Sequence, residues 1–329
     1  MHIFLTGATG FIGKHTARRL ISAGHTLRAL VRDPRRLDGL LPLGLEPVFG
    51  SLDDVPALRE GMAGCDCAVH LAGQYAMWHP RPETFRQVNV DGTRNVMLAA
   101  VDSGVRKVVH MSTVAVWGKP AQAPFDEDTP PGPRLLSAYA RSKAEGERVA
   151  WEIAGQHNLP LTVLYPGITL GAGDDRASGQ YIQLLVFRRT PSTIFHNSPA
   201  TYVAARDVAE AVLLAAENPA SAGRRYLIGR ETLLGREFAA LVSQLSGVRL
   251  PPLRLPDWLI RAASYPFTAL AALTRTQPLW TLSIDAGRTL QAGFHFDGSR
   301  AERELGLQYT PIRDALSEAI FDYRKNRAR

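Results

Sequence analysis

Three glycines spaced three residues apart near the amino terminus constrain this chain most. Gly7 and Gly10 lie between an apolar run at residues 3–6 and a helical pattern at residues 11–23, and Gly13 lies in the first turn of that pattern. A strand, a glycine turn and a helix in this order point backbone N–H groups at a ligand, and the helix dipole favours negative charge there. Gly7 permits the tight turn, Gly10 lets a phosphate approach the backbone, and Gly13 lets the helix pack close to the strand. The segment therefore predicts a site for the pyrophosphate of a dinucleotide.

Apolar runs alternate with helical patterns as far as about residue 165. The helical patterns cover residues 11–23, 55–62, 82–103 and 138–157, and the apolar runs cover residues 3–6, 26–31, 46–49, 67–71, 107–111 and 161–165. The runs are continuous, as in strands that are buried on both faces. This pattern predicts an α/β fold, with a doubly wound parallel sheet of the Rossmann type.

The pattern changes after residue 166. A loop is predicted at 171–176, a helix at 205–217 and a strand at 225–228, and later helices at 234–246, 257–273, 300–304 and 311–326. We expect a dinucleotide-binding domain of residues 1–170, to which 200–228 return. Residues 171–199 and 229–329 would form a smaller, mostly helical substrate-binding part. Such a part would close a cleft at the carboxyl ends of the strands.

Charge and composition exclude several classes of protein. The net charge is +7, but there is no long basic arm, zinc-finger spacing or aromatic RNA-binding motif, so a nucleic-acid partner is not expected. A positive field suits an anionic cofactor or substrate. The apolar stretch 255–282 is interrupted by arginine and proline, so no membrane span is expected. The two cysteines, Cys65 and Cys67, favour a reducing compartment, and we expect a cytoplasmic protein.

Histidines give no sign of a metal site. His79, His110 and His196 are not clustered in sequence, and His110 lies in an apolar run that predicts a buried strand. We therefore expect His110 to be a packed core histidine, and we predict no metal site.

The end of the second apolar run decides between NAD and NADP. An acidic residue there binds ribose hydroxyls and repels a 2′-phosphate. Here Arg32 occupies that position, with Arg35 and Arg36 close behind. A guanidinium can bind a phosphate through two hydrogen bonds and stack on adenine. The sequence therefore favours NADP over NAD, although Asp33 weakens the case and a solvated basic turn is the alternative.

Tyr139 and Lys143 form a candidate acid–base pair at the start of the 138–157 helix. Residues four apart share one helix face, so the lysine ammonium would stabilise the phenolate and lower the pKa of Tyr139 below its usual value of about 10. Such a pair can exchange a proton with a carbonyl oxygen. A hydroxyl at the end of the 107–111 strand would hydrogen-bond the same oxygen. Thr113 is the first candidate and Ser112 the second.

Together these motifs resemble the extended short-chain dehydrogenase/reductases, the NAD-dependent epimerase/dehydratase group. The resemblance rests on segments spread over the whole chain: TGATGFIG at 6–13, HLAG at 70–73, NVDGT at 89–93, STVAVWG at 112–118, YARSK at 139–143, YPG at 165–167 and YVAARD at 202–207. Within the group, the chain looks most similar to dihydroflavonol-reductase-like proteins and to the hopanoid-associated sugar epimerase-like proteins.

The resemblance implies a role for each matching residue. Thr113, Tyr139 and Lys143 would be catalytic, and Lys143 would also bind the nicotinamide ribose. The residues implied to bind the cofactor are Gly7, Thr9, Gly10, Phe11, Ile12, Gly13, Arg32, Arg36, Leu52, Leu71, Ala72, Gly73, Tyr139, Lys143, Pro166, Gly167 and Ile168. Family members often pair through helices equivalent to 82–103 and 138–157, which implies a homodimer.

Some positions depart from the family pattern. Ser51 stands where aspartate is usual, Trp117 replaces a usual tyrosine, and Tyr165 replaces a common arginine. We expect hydride transfer to survive these changes.

Two chemistries fit the predicted site. The first is NADPH-dependent reduction of a ketone or aldehyde on a moderately apolar small molecule, with a pocket wall that includes Tyr75, Trp78, Trp117 and Tyr181. The second is epimerisation of a nucleotide sugar, whose diphosphate would be held by Arg188, Arg189 and Arg206. A dehydratase is disfavoured because Val114 and Ala115 follow Thr113 where an acidic pair is typical. A non-catalytic cofactor-binding protein is a third hypothesis, which the intact Thr113, Tyr139 and Lys143 disfavour.

Overall fold

A computed structural model describes residues 1–37 and 39–327 of the chain. Its strands are β1 His2–Thr6, β2 Thr26–Val31, β3 Glu46–Phe49, β4 Cys67–His70, β5 Lys107–Met111, β6 Leu161–Pro166, β7 Ile168–Leu170, β8 Ser192–Thr193, β9 Pro199–Ala204, β10 Arg225–Ile228, β11 Glu231–Leu234 and β12 Leu253–Arg254. Its α-helices are α1 Phe11–Ser22, α2 Val55–Met62, α3 Glu83–Arg86, α4 Gly92–Asp102, α5 Ala138–His157, α6 Ala177–Val186, α7 Ala205–Glu217, α8 Gly235–Ser246, α9 Asp257–Thr274, α10 Ile284–Ala292, α11 Ser299–Leu305 and α12 Ile312–Arg327.

Seven parallel strands form the central sheet, in the order β10-β6-β5-β4-β1-β2-β3. The predicted strands agree with β1–β6 and β10 to within one residue at each end. The chain order reverses between β1 and β4, and this reversal opens a crevice at the carboxyl ends of the strands. The predicted Rossmann-type, doubly wound α/β fold is therefore confirmed.

Helices cover both faces of this sheet. α2, α4 and α5 bury Leu58, Met97 and Ile153 against one face. α1 and α7 bury Leu20 and Val212 against the other. Removing apolar surface from water stabilises such layers by about 25 cal/mol per Å². The two layers hold the strand ends, and hence the crevice, in place.

The remaining elements form a smaller, mostly helical part. A three-stranded sheet, β11-β9-β7, packs against α6, α8 and α12, and β12 pairs with β8. In residues 200–228, α7 and β10 join the large sheet, whereas β9 belongs to the small one. α6, α10 and the short strands of this part were not predicted from the sequence. Three of these strands, β7, β8 and β12, have only two or three residues, which is too short for a clear periodicity.

The prediction of one continuous helix over 82–103 is wrong in one respect. A π-helical segment, Gln87–Asp91, separates α3 from α4. The side chain of Asn89 within it accepts a hydrogen bond from the backbone N–H of Gln74 (2.7 Å) and donates one to the Ser142 hydroxyl (2.9 Å). The wider turn aims Asn89 at these partners, and such turns recur at functional sites.

Candidate active site

The glycine turn forms a cradle that side chains would fill. Gly7 has a φ of +82°, and a Cβ there would lie 2.7 Å from the backbone nitrogen of Ala72. A Cβ on Gly13 would lie 1.9 Å from the Gly7 carbonyl oxygen. Gly10 precedes α1 and has no side chain with which to cap it, so the first N–H groups of the helix are available to a ligand. These residues fit a dinucleotide pyrophosphate.

The residues at and after the carboxyl end of β4 lie beside the glycine turn. The Thr6 hydroxyl accepts a hydrogen bond from the backbone N–H of Ala72 (3.2 Å) and pairs with His70 Nδ1 (2.7 Å). Gly73 lies beside the catalytic candidates, since a Cβ there would be 3.9 Å from Lys143 Nζ. The segment 71–73 therefore connects the glycine turn with Lys143.

Basic side chains lie at the end of β2. Arg32 and Arg36 are exposed, and Arg32 follows the last residue of the strand. The Asp33 carboxylate is already engaged, because Arg35 Nε donates to it (2.9 Å). The acidic residue that weakened the case for NADP is thus paired locally, and Arg32 and Arg36 remain exposed beside it.

Leu52 follows β3 at the edge of the same crevice. It packs on Gly92, where a Cβ would lie 2.7 Å from Leu52 Cδ1. A side-chain hydrogen bond from Ser51 lowers the pKa of Asp53, with a smaller contribution from the positive charge of Arg32. Asp53 therefore supplies a carboxylate two residues after Ser51, the position where the family pattern has an aspartate.

Tyr139 lies in the first turn of α5. Ser137 caps this helix, its hydroxyl accepting from the backbone N–H of Ala140 (3.1 Å). Tyr139 is 8% exposed, and its ring meets that of Tyr75 edge to face at 5.1 Å. Burial raises the pKa of Tyr139 to about 12, and a hydrogen bond from Thr113 opposes this rise. The expected fall of this pKa is therefore wrong for this structure, because desolvation outweighs the stabilisation of the phenolate.

Lys143 lies one turn further along α5 and is 4% exposed. Its ammonium donates to the Met111 carbonyl oxygen (2.7 Å) at the end of β5. Burial lowers the pKa of Lys143 to about 8, and the charge of Glu147 opposes this fall. The lysine is thus a buried cation held between the strand end and its own helix.

Contacts of Glu147 distinguish the two candidate hydroxyls, Ser112 and Thr113. This buried carboxylate accepts from the Ser112 hydroxyl (2.7 Å) and from the Tyr165 hydroxyl (2.5 Å). The Ser112 hydroxyl is therefore engaged by Glu147, whereas hydrogen bonding by Thr113 lowers the pKa of Tyr139. Sequence reasoning missed Glu147, although its i+4 spacing from Lys143 was a signal that could have identified it.

Two histidines are stacked in the core behind Lys143. The rings of His70 and His110 lie 5.1 Å apart, and both residues are fully buried. Burial lowers the pKa of His70 to about 3 and that of His110 well below its usual value, with the charge of Lys143 adding to both. Both are neutral near pH 7, and His110 is a packed core residue as expected. In residues 1–37 and 39–327, no group of three or more His, Cys, Asp or Glu side chains is arranged to hold a metal ion.

The predicted substrate residues occupy different environments. Tyr75 lies against Tyr139, and Trp78 is half-buried in the same loop. Trp117 is 3% exposed in the core, where it stacks on Phe125. The structure places Trp117 away from solvent because its ring nitrogen donates to a backbone oxygen (2.9 Å) and its ring fills the space between two other aromatic rings.

Tyr181 lies on α6, and the segment 166–168 joins β6 to β7. The Tyr181 hydroxyl accepts from the backbone N–H of Ile194 (3.4 Å). Gly167 donates to the Ile228 carbonyl oxygen (2.9 Å), and a Cβ on Gly167 would lie 2.4 Å from the Thr201 carbonyl oxygen. The segment is therefore fixed where β6 ends and β7 begins.

The arginines considered for a diphosphate have other partners. Arg206 forms an ion pair with Glu318 on α12, and Arg189 lies over the ring of Phe187 at 5.8 Å. Arg188 adopts a positive φ of 54° directly after that ring. These contacts fit a structural role for Arg206 and Arg189.

Known proteins share this chain's sequence and fold. A provisionally named dihydroflavonol 4-reductase of Synechocystis is 31% identical over 96% of this chain and 93% of its own length. A 4-hydroxy-2-methyl-3-oxo-4-farnesyl-3,4-dihydroquinoline-1-oxide ketoreductase of Stigmatella aurantiaca is 29% identical over 93% of this chain and 91% of its own length. The solved structure of the protein gox2253 superposes with a TM-score of 0.84 at 31% identity and covers 99% of this chain and 98% of its own.

A family model confirms the resemblance seen in the motifs. The model for the NAD dependent epimerase/dehydratase family matches residues 3–229, which include the glycine turn and the Thr113, Tyr139 and Lys143 cluster. The fold, the strand order and the cradle for a pyrophosphate agree with that match. The chain therefore belongs to the NAD dependent epimerase/dehydratase family of the extended short-chain dehydrogenase/reductases, and it is an NAD(P)-dependent enzyme.

Proposed function

We propose that the chain is an NADPH-dependent reductase of a ketone or aldehyde, with Tyr139 as the proton donor. The observation that carries this proposal is the cluster of Tyr139, Thr113 and buried Lys143 beside the segment 71–73, which leads to the pyrophosphate cradle. When bound, the reduced dinucleotide supplies a hydride to the carbonyl carbon. The chain's own residues then have to meet the charge that develops on the carbonyl oxygen.

Tyr139 suits the role of proton donor. Because burial raises the pKa of Tyr139 to about 12, the phenol stays protonated near pH 7 until a stronger base forms beside it. An alkoxide is such a base, so the proton moves from Tyr139 Oη to the substrate oxygen as the hydride arrives. The Thr113 hydroxyl stabilises the phenolate that remains, and solvent then restores the proton.

Lys143 provides positive charge next to this transfer. With a pKa of about 8, the ammonium is mostly protonated near pH 7, and the Met111 carbonyl oxygen holds it at the strand end. The positive charge stabilises both the phenolate and the developing alkoxide.

The substrate class follows from the aromatic wall of the site. Tyr75 packs on Tyr139 and Trp78 follows in the same loop, which suits a moderately apolar carbonyl compound. The two named relatives, a dihydroflavonol 4-reductase and a farnesyl-quinoline-oxide ketoreductase, support the same class by their names.

The preference for NADP rests on Arg32 and Arg36. Both side chains are exposed beside the crevice, while Arg35 occupies the Asp33 carboxylate. A 2′-phosphate would find two exposed guanidinium groups there, beside a carboxylate that is paired with Arg35. We further propose a cytoplasmic homodimer, which the two buried free cysteines and the family resemblance support.

Epimerisation of a nucleotide sugar is the second candidate, favoured by the name of the matching family model. Cofactor consumption separates the two. A reductase oxidises one NADPH for each carbonyl reduced, whereas an epimerase returns the hydride and consumes none. A panel of apolar ketones and aldehydes should give stoichiometric NADPH oxidation. Release of tightly held NAD on denaturation, with no oxidation of added NADPH by any carbonyl, would favour the epimerase instead.

A further inference from the structure

A surface of unusual composition lies on the smaller part of the molecule. Among the described residues, fifteen large hydrophobic side chains are exposed, and nine of them lie between residues 250 and 280. Leu273 is 83% exposed, Trp258 66% and Leu270 56%. Contiguous exposed apolar surface on this scale marks an interaction site. We name it the α9 face and define it as Trp258, Leu259, Tyr265, Leu270, Leu273 and Trp280.

Helical periodicity places five of the six residues on one side of α9. At 100° per residue, the arc that they span is about 140°. Trp280 lies beyond the helix, and its ring packs on that of Phe267 at 5.8 Å. Ile260, Ser264 and Ala271 are buried on the opposite side. α9 is thus apolar on both faces, which is typical of a helix with a second apolar environment outside the core.

The exposed charges in the chain segment that carries the α9 face all have the same sign. Within residues 249–288 every exposed charged side chain is an arginine: Arg249, Arg254, Arg261, Arg275 and Arg288. Two acidic residues, Asp257 and Asp285, occur in the same stretch and are half-buried, and Asp285 accepts from the backbone N–H of Ala138 (2.8 Å). An apolar surface carried by a segment whose exposed charges are all arginine complements an anionic partner.

We propose that the α9 face docks on the surface of an anionic lipid bilayer. No helix among residues 1–37 and 39–327 is long and apolar enough to cross a membrane, so α9 would lie in the plane of the interface. Tryptophan, tyrosine and arginine are the side chains that anchor proteins at that depth. A second copy of the chain is a poorer partner, because a symmetric contact between two such faces brings arginines together.

α9 is linked through the start of α10 to the loop beside the candidate active site. The Ile284 N–H at the start of α10 donates to the Thr268 hydroxyl of α9 (2.9 Å). The Ser283 hydroxyl donates to the Met77 carbonyl oxygen (2.6 Å), in the loop that carries Tyr75 and Trp78. Docking would therefore hold the pocket wall near the bilayer, from which an apolar carbonyl could enter. This route rests on the proposed function, whereas docking itself does not.

The test is sedimentation of the full chain with vesicles of two compositions. One set contains phosphatidylcholine alone, and in the other about a third of the lipid is phosphatidylglycerol, to which each nearby arginine adds attraction. The variants are Leu270→Ser and Leu273→Ser. Phe321→Ser is the matched control, since Phe321 is 69% exposed on α12, outside the α9 face.

The expected result is binding to the anionic vesicles that weakens as salt is added. Each α9 variant should lower the partition coefficient about tenfold, with the control unchanged. Failure to sediment with either vesicle, or equal binding by all variants, would overturn the proposal. Wild-type dimers that dissociate in the α9 variants, without vesicle binding, would assign the face to self-association. Loss of reductase activity with vesicle binding retained would count only against the proposed function.

Discussion

Replacing Lys143 with methionine should abolish activity without destabilising the protein. Burial lowers the pKa of Lys143 from 10.5 to about 8. At 1.36 kcal/mol per pKa unit, the buried charge destabilises the native state near neutral pH by about 3 kcal/mol. The lost hydrogen bond to the Met111 carbonyl oxygen offsets about 1 to 3 kcal/mol of the gain. The free energy of unfolding near pH 7 is therefore expected to stay level or rise by up to about 2 kcal/mol.

The pH dependence isolates the charge from the other effects of Lys143→Met. Between pH 8 and 10.5 the unfolded wild-type chain holds a proton that the native lysine has lost, so wild-type stability rises with pH in that window. The methionine variant lacks this gain. Between about pH 7 and about pH 9, the free energy of unfolding of the wild type should rise by about 1 kcal/mol relative to that of the variant.

Urea denaturation of both proteins at the two pH values gives this difference directly, provided that the m-values agree. A stability difference that does not change with pH would refute the reasoning, because it would mean that the native lysine titrates as it does in the unfolded chain.

Three further experiments test the rest of the site. Gly13→Ala puts a Cβ 1.9 Å from a carbonyl oxygen, so it should lower the stability by at least about 1 to 3 kcal/mol and remove dinucleotide binding. Gly155→Ala is the control, because the space around Gly155 is open. An unchanged Tm of Gly13→Ala would contradict the cradle. Arg32→Ala should raise the Kd for NADPH at least about tenfold and leave that for NADH unchanged, as measured by fluorescence titration; equal weakening of both would refute the 2′-phosphate role. Thr113→Val should lower kcat by about 10²-fold with little change in Tm. Ser112→Ala should lower the stability by about 1 kcal/mol and leave kcat nearly unchanged. The reverse pattern would exchange the roles of the two hydroxyls.

The large sheet was predictable because most of its strands are buried on both faces. Such strands have continuous apolar runs, and β2 and β5 begin and end where the sequence predicted. The glycine spacing likewise predicted the cradle, because a Cβ at Gly7 or Gly13 collides with backbone. In both cases the constraint is local in sequence.

The rest of the site depends on contacts that no local pattern contains. The π-helical segment at Asn89 has only five residues, too few for a period of its own to show in the sequence. The pKa of Tyr139 rises because elements distant in sequence bury the side chain. The four-residue spacing between Tyr139 and Lys143 gives no information about this burial. Ser112 and Thr113 have different roles because Glu147, on another element, accepts a hydrogen bond from Ser112. Trp117 was assigned to the pocket wall, but its ring packs between Phe125 and Tyr165.

Turnover by Tyr139→Phe tests the central claim most directly. Steady-state NADPH oxidation would be measured with a carbonyl substrate reduced by the wild type, beside the NADPH Kd and a Tyr75→Phe control that keeps the edge-to-face ring contact. Tyr139→Phe is expected to lower kcat by about 10² to 10⁴-fold, with the Kd unchanged and the control near wild type. Wild-type turnover by Tyr139→Phe would contradict the assignment of Tyr139 as the proton donor.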